Sequence, residues 1–322
     1  MFRGGGFFKA LLALGLLAAV WLAGGWFWGG PLVKDTPFLV ADGSSLSAIA
    51  AKLEKQGAVS SASSFKLRAR IFGGGTPIKA GEFLLPKGAS ASKILSVLQG
   101  DEVIRRFVTV PEGMPSVLVY ERLLAMPQLT GSITVPAEGS ILPDTYDFER
   151  GESRQAVLLR MQAAMQRTLA ELWAKRVPGI AVNTPQEALV LASIVEKETG
   201  KPNERGTVAG LYSNRLRQGI MLQADPTIIY PITHGKPLGR RIRQSEIQAI
   251  NDYNTYSMLG LPKGPITNPG RDSIAAVLNP AKTDALYMVA DGTGGHAFAP
   301  TLEQHNANVE KWFTIRRARG EI

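Results

Sequence analysis

The sequence predicts an α+β protein in three parts: one N-terminal transmembrane helix, a small α+β subdomain and a larger α+β domain. Three observations predict it. A single long uncharged run opens the chain, short helix and strand signals alternate with turn residues as far as about residue 110, and longer helical periods broken by polar, Gly- and Pro-containing loops fill the rest.

From Ala10 to Val33 the chain runs 24 residues without a charge, and about 20 apolar residues cross a bilayer core as a helix. Residues 10–33 are therefore read as the transmembrane helix. Arg3 and Lys9 precede the run, while only Lys34 and Asp35 lie close behind it. That asymmetry makes residues 1–9 a cytoplasmic N-terminus and places the remainder outside the cytoplasm, on a single-pass protein of the plasma (inner) membrane. Trp26 and Trp28, then Gly29, Gly30 and Pro31, read as an interfacial anchor and a helix stop. A cleaved signal peptide would carry an apolar core of about 7–15 residues, shorter than this one. A lipid-bearing Cys is missing after Leu22-Ala23-Gly24, where Gly25 stands.

The net charge of +9 favours an anionic partner: lipid head groups, an acidic wall polymer or nucleic acid. An extracytoplasmic location argues against nucleic acid. The chain has no Cys, which removes disulfides and thiolate metal sites. His234, His296 and His305 are the only histidines and show no ligand-type spacing, so no metal site is expected. No phosphate-binding glycine loop or Ser-nucleophile motif occurs, and no cofactor is expected.

Residues 37–110 read as the small subdomain. Phe38-Leu39-Val40 predicts a strand and Asp42-Gly43 a turn, and Ser45 caps a helix with Leu46, Ile49, Ala50 and Leu53 at helical spacing. A helix over 63–71 stops at Gly73-Gly74-Gly75; a strand over 80–85, a helix over 90–98 and a strand over 103–110 follow. Small modules of this kind bind extended polymers on an edge or groove, or serve only as a spacer above the membrane.

Pro111-Glu112-Gly113-Met114-Pro115 opens the larger domain, residues 111–322. A Gln- and Ala-rich helix covers 154–175. Thr184-Pro185-Gln186-Glu187 starts another, with a hydroxyl cap, Pro at the first position and Glu three residues after the cap. Ala188 to Val195 is apolar nearly all round, which marks a helix buried in a core. Glu196 and Glu198 close it. Residues two apart on a helix project about 200° apart, so these two acids cannot share one site. A carboxyl at the end of a buried helix has its pKa raised by desolvation and by the helix C-terminus, which suits a general acid near neutral pH.

The next sixty residues concentrate polar and turn residues that core packing does not explain. Asn214-Arg215, Gln223-Ala224-Asp225-Pro226-Thr227 and Asn254-Thr255-Tyr256 supply amides, hydroxyls and rings, the equipment for binding sugars. Each has a structural alternative: Asp225 capping a turn, or Asn254 satisfying a loop backbone.

The segments "ASIVEKET" from Ala192, "NRLRQGIMLQADPTIIY" from Asn214, "YNTYSMLGLPKGPITNPG" from Tyr253, "YMVADGTGGHAFAPTLEQHN" from Tyr287 and "EGSILPDTYDF" from Glu138 together resemble the endolytic murein transglycosylases, the MltG or YceG-like family. The resemblance covers about Pro111 to Trp312 and extends more loosely toward the anchor. It implies a LysM-like peptidoglycan-binding character for the small subdomain, nascent glycan strands as substrate and peptidoglycan synthases as partners. Its catalytic acid falls on Glu198. Glu138, Asp144, Gln223, Asp225, Asn254, Thr255 and Tyr256 become candidate substrate contacts, and His296, after the glycine turn, a further candidate or a structural residue.

The implied reaction needs one acid where a glycosidase usually needs two carboxyls. Glu198 would protonate the oxygen between MurNAc and GlcNAc, then accept the proton of the C6 hydroxyl of the same MurNAc as that hydroxyl closes a 1,6-anhydro ring. Cleavage of this kind would end the growth of new glycans. A hydrolytic muramidase with Asp225 or Glu138 as second carboxyl, and a non-catalytic scaffold, are the rival readings.

Overall fold

The structure, a computed structural model, describes residues 4–322, with side chains from residue 8 onward. Arg3, one of the two basic residues behind the orientation reading, lies outside the described residues. Helices and strands mix throughout, with one long apolar helix at the N-terminus. The chain divides into two compact units: one comprises residues up to Arg106 together with Phe148–Gly151, the other Phe107–Asp147 and Glu152–Ile322.

The first unit begins with α1 (Gly4–Phe27). The helix stops six residues before the uncharged run does. Beyond it, the Gly30 N–H bonds to the Gly88 carbonyl (3.0 Å) and the Gly88 N–H to the Leu32 carbonyl (2.8 Å), so these residues join the small unit. There follow β1 (Thr36–Val40), α2 (Leu46–Lys55), α3 (Ala62–Phe72), β2 (Gly81–Leu85) and α4 (Ala91–Gln99). Ser45, Ser61 and Ser90 cap the three short helices, each accepting from the backbone N–H three residues on. β1 and β2 pair antiparallel with Phe38 opposite Phe83, and both rings are fully buried. Ile49, Leu53, Phe65, Ile94 and Leu98 complete that core from the helices, each contributing about 1.5–3 kcal/mol by leaving water.

β3 (Arg105–Thr109), α5 (Ser116–Leu124) and β4 (Thr145–Glu149) come next, and β3 pairs with β4. The unit boundary falls at Arg106, a few residues before Pro111, and Phe148–Gly151 returns to the first unit. That return was not legible, because a strand's partner is a long-range fact.

The second unit contains α6 (Arg154–Ala174), α7 (Pro185–Glu198), α8 (Arg205–Arg217), α9 (Asp225–Thr233), α10 (Gln244–Ile247) and α11 (Arg271–Leu278), then β5 (Tyr287–Ala290), β6 (His296–Ala299) and α12 (Leu302–Ala318). The start of α7 is built as its sequence predicts: Thr184 Oγ1 accepts from Glu187 N (3.1 Å), Pro185 opens the first turn, and the Glu187 carboxylate accepts from Asn183 N (2.6 Å). Every residue from Ala188 to Val195 is buried. α7 is the central rod, flanked by α6, α8, α9 and α11.

Candidate active site

The rod carries Glu198 to the place where α7 ends. Thr199 leaves the helix in an extended conformation and its hydroxyl accepts from Lys201 N (3.0 Å), turning the chain toward α8. α8 then presents Tyr212 and Arg215, three residues apart and so on one face. The Arg215 side chain is buried, and its fork holds the following loop: Nε donates to the Leu286 carbonyl (2.6 Å), and Nη1 to the carbonyls of Met221 (3.0 Å) and Leu222 (2.9 Å) and to Gln223 Oε1 (3.3 Å).

At Gln223 the backbone turns left-handed, φ +52°, a conformation that L-residues adopt at a cost. The turn is held by the Gln223 N–H on the Thr255 carbonyl (3.1 Å) and by Ala224 N on Thr255 Oγ1 (3.0 Å). It delivers Asp225 to the start of α9, where its carboxylate accepts from the Tyr256 hydroxyl (2.7 Å).

Glu198, Tyr212, Arg215, Gln223, Asp225 and Tyr256 together line one cavity of about 230 Å³, closed on another side by Met288–Ala290 of β5 and by His296. Glu198 Oε1 is shut off from solvent and has no hydrogen-bond partner. Burial pushes the Glu198 carboxyl up to about 7; the neighbouring Asp225 charge adds to the rise, while the Tyr212 hydroxyl and the Arg215 guanidinium oppose it. An acid so placed holds its proton near neutral pH and has no protein acceptor competing for that oxygen. Tyr212→Phe removes the hydroxyl that opposes the rise, so the Glu198 carboxyl should titrate higher, to be read by 13C NMR of the labelled carboxyl; an unchanged titration would remove Tyr212 from the site's electrostatics.

The candidate residues separate into three groups. Glu198, Gln223, Asp225 and Tyr256 are brought together. Asn254 and Thr255 are fully buried and spend their side chains on the protein: Asn254 Nδ2 donates to the carbonyls of Ile247 (2.9 Å) and Ala249 (2.6 Å), its Oδ1 accepts from Tyr256 N (3.0 Å), and Thr255 Oγ1 meets Thr227 Oγ1 (2.8 Å). They offer a ligand no surface; their place is behind Tyr256 and the Gln223 turn, holding both.

Glu138 and Asp144 lie outside the cavity. Glu138 Oε1 accepts from Ser116 N (2.9 Å) and Asn268 Nδ2 (3.4 Å), capping α5, whose own cap residue Pro115 has no side-chain acceptor. Asp144 is exposed and accepts from Thr145 N (2.7 Å). Glu196 points away from Glu198, as the helical angle requires, and accepts from Gly270 N (2.9 Å) ahead of α11.

His296 stands in the cavity wall, with its Nδ1 against Glu204 Oε2 (2.9 Å) and its backbone N–H on Glu204 Oε1 (3.1 Å). Burial pushes the Glu204 carboxyl up, but the two His296 contacts outweigh it and leave it below the usual range. Glu204 is therefore an ionised partner that fixes the orientation of the ring.

Residues 38–311 match the YceG-like family. The chain belongs to the YceG-like family. Among its YceG-like relatives, the endolytic murein transglycosylase of Bacillus subtilis is 27% identical, with 89% of this chain and 88% of that protein aligned. The endolytic murein transglycosylase of Streptococcus pneumoniae serotype 2 is 30% identical over 84% of this chain, which spans 57% of that longer protein. The crystal structure of a YceG-like protein from Listeria monocytogenes superposes with a TM-score of 0.54 at 26% identity, covering 85% of this chain and 98% of that one.

Two further members of this site escaped the sequence reading. Tyr212 lies in an apolar stretch of α8 where a ring reads as core, and it is in fact 2% exposed. The exposure of one edge to a cavity leaves no signal in periodicity. Glu204 sits in a polar loop, and only the return of β6 gives it His296.

Proposed function

We propose that this protein is a membrane-anchored endolytic lytic transglycosylase of peptidoglycan. Glu198 protonates the glycosidic oxygen between MurNAc and GlcNAc, and the leaving sugar departs with that proton. The resulting Glu198 carboxylate accepts the proton of the MurNAc C6 hydroxyl as its oxygen attacks C1, closing the 1,6-anhydro ring and restoring the acid. No water is consumed. The observation that carries the reading is the partnerless Glu198 Oε1, buried in a cavity and held near a pKa of about 7.

Around the acid, Asp225 and the Tyr256 hydroxyl that it orients lie in the same cavity, where a carboxylate would stabilise positive charge developing at C1. Gln223 supplies an amide for sugar hydroxyls. The bare apolar stretch of α1 supports a single-pass anchor, and Arg3 and Lys9 ahead of the uncharged run support a cytoplasmic N-terminus. In this reading the first unit serves as a LysM-like peptidoglycan-binding module, and the tether confines cutting to new strands near the membrane, where it ends their elongation; peptidoglycan synthases are the partners that location offers.

Asp225 also favours a second reading. A second carboxylate in the cavity of the acid is what a hydrolytic muramidase needs to activate water or form a covalent intermediate. Mass spectrometry of fragments released from purified peptidoglycan decides between them: 1,6-anhydro-MurNAc ends are expected, reducing MurNAc ends would establish the hydrolase, and no fragments with strands bound would leave a scaffold.

A further inference from the structure

We infer that the first unit is seated on the outer membrane surface itself, with α3 lying in the anionic lipid headgroup layer. The inference rests on reading α1 as a membrane span.

α1 is two different surfaces in one helix. From Phe8 to Trp21 all fourteen residues are exposed; from Leu22 one face of the helix is enclosed, with Gly24 and Trp26 buried. The enclosing wall is formed by α3 and α4. Trp26 packs against Phe65 (6.2 Å between ring centres) and Phe72 (6.0 Å), and Arg68 reaches back along the helix, donating to the carbonyls of Trp21 (3.0 Å) and Gly25 (3.4 Å) with its guanidinium 4.4 Å above the Trp21 ring.

The bare stretch is too short to leave a gap between membrane and protein. At about 1.5 Å per residue, Phe8–Trp21 covers roughly 21 Å. The hydrocarbon core is about 30 Å thick. A helix with that length free can cross only if the Arg68 clasp sits at the membrane boundary, where Trp21 and Arg68 are the residue types that interface prefers.

The surface of α3 fits that position. Leu67, Ile71 and Phe72 are exposed, and the Phe72 ring lies 6.1 Å from that of Phe27, itself exposed at the end of α1. The apolar patch is thus continuous with the span. α3 also carries Lys66, Arg68 and Arg70 and no acid. Arg68 is committed to α1, which leaves Lys66 and Arg70 for lipid phosphates, and apolar residues beside basic ones are the composition of a helix that lies in an interface.

Because the chain has no Cys, a nitroxide can be placed at single engineered sites in the full chain, reconstituted in vesicles of phosphatidylcholine and phosphatidylglycerol. Leu16→Cys reports the span, Leu67→Cys and Ile71→Cys report α3, and Asp252→Cys reports an exposed aqueous site. The ratio of oxygen to nickel-chelate accessibility at the two α3 sites is expected to exceed that at Asp252 several-fold, and to fall toward it when phosphatidylglycerol is omitted. A lipid-embedded label at Leu16 with α3 labels matching Asp252 would overturn the docking while leaving the anchor intact. A water-accessible label at Leu16 would instead remove the span, and the docking with it. An α3 ratio indifferent to phosphatidylglycerol would overturn the assignment of Lys66 and Arg70 to anionic head groups.

Discussion

Glu198→Gln is expected to abolish glycan cleavage and, at the same time, to make the protein more stable above neutral pH. Loss of a general acid typically costs about 10²–10⁴-fold, and the upper end is expected here. Stability moves in the opposite direction for the same physical reason. Burial raises the Glu198 carboxyl from 4.5 to about 7, so the folded state favours the protonated form. Below about pH 4.5 the acid is neutral in both folded and unfolded chains and costs nothing. As the pH rises through 7 the folded protein must carry a buried charge, a loss on the order of 2–3 kcal/mol once 7 is passed. Gln is neutral at every pH and nearly the same shape. The variant should therefore melt several degrees above the wild type near pH 8 and at the same temperature near pH 4, by calorimetry. An inactive variant that is also destabilised at pH 8 would mean that Glu198 is a packing residue.

The second large effect is expected at Arg215, through positioning. Four acceptors converge on its fork, from Met221, Leu222, Gln223 and Leu286. Arg215→Met would leave buried carbonyls unpaired, a loss of roughly 3 kcal/mol in urea unfolding. It would also free the turn that sets Gln223 and Asp225, and displacement of such groups by about 1 Å costs on the order of 100-fold in rate. The guanidinium further holds the Glu198 pKa down, so the carboxyl should titrate higher in the variant. Arg215→Lys separates the two contributions. It restores a charge but only a single donor point, so the titration of Glu198 should return toward wild type while stability and rate remain low. Full recovery of rate by Lys would show that the charge alone matters.

Local signals carried the sequence reading well where the physics is local. Hydroxyl caps at Ser45 and Thr184 and the Gly73 stop placed helix ends within a residue or two. The all-round apolar run of α7 announced a buried helix, and its angular arithmetic separated Glu196 from Glu198 before any coordinates. The site was legible as composition and less so as geometry. Asn254 and Thr255 look like sugar contacts because amides and hydroxyls serve either purpose; only the burial of both side chains, decided by α9 and α10 packing around them, assigns them to the loop. Glu138 likewise reads as a site carboxylate until α5 is seen to begin at Pro115 without a cap of its own. The end of α1 at Phe27 was hidden because Gly30 and Leu32 are pulled aside by Gly88, far along the chain.

The most direct measurement is the pH dependence of glycan cleavage by the purified full chain, with release of soluble fragments from peptidoglycan as the readout. If the enclosed carboxyl of Glu198 is the acid, the rate should be sustained below neutrality and fall about tenfold per pH unit above a midpoint near 7, and Tyr212→Phe should move that midpoint upward. A rate that holds level to pH 9, or one that falls with a midpoint near 4.5 as an exposed carboxyl would dictate, would contradict the account.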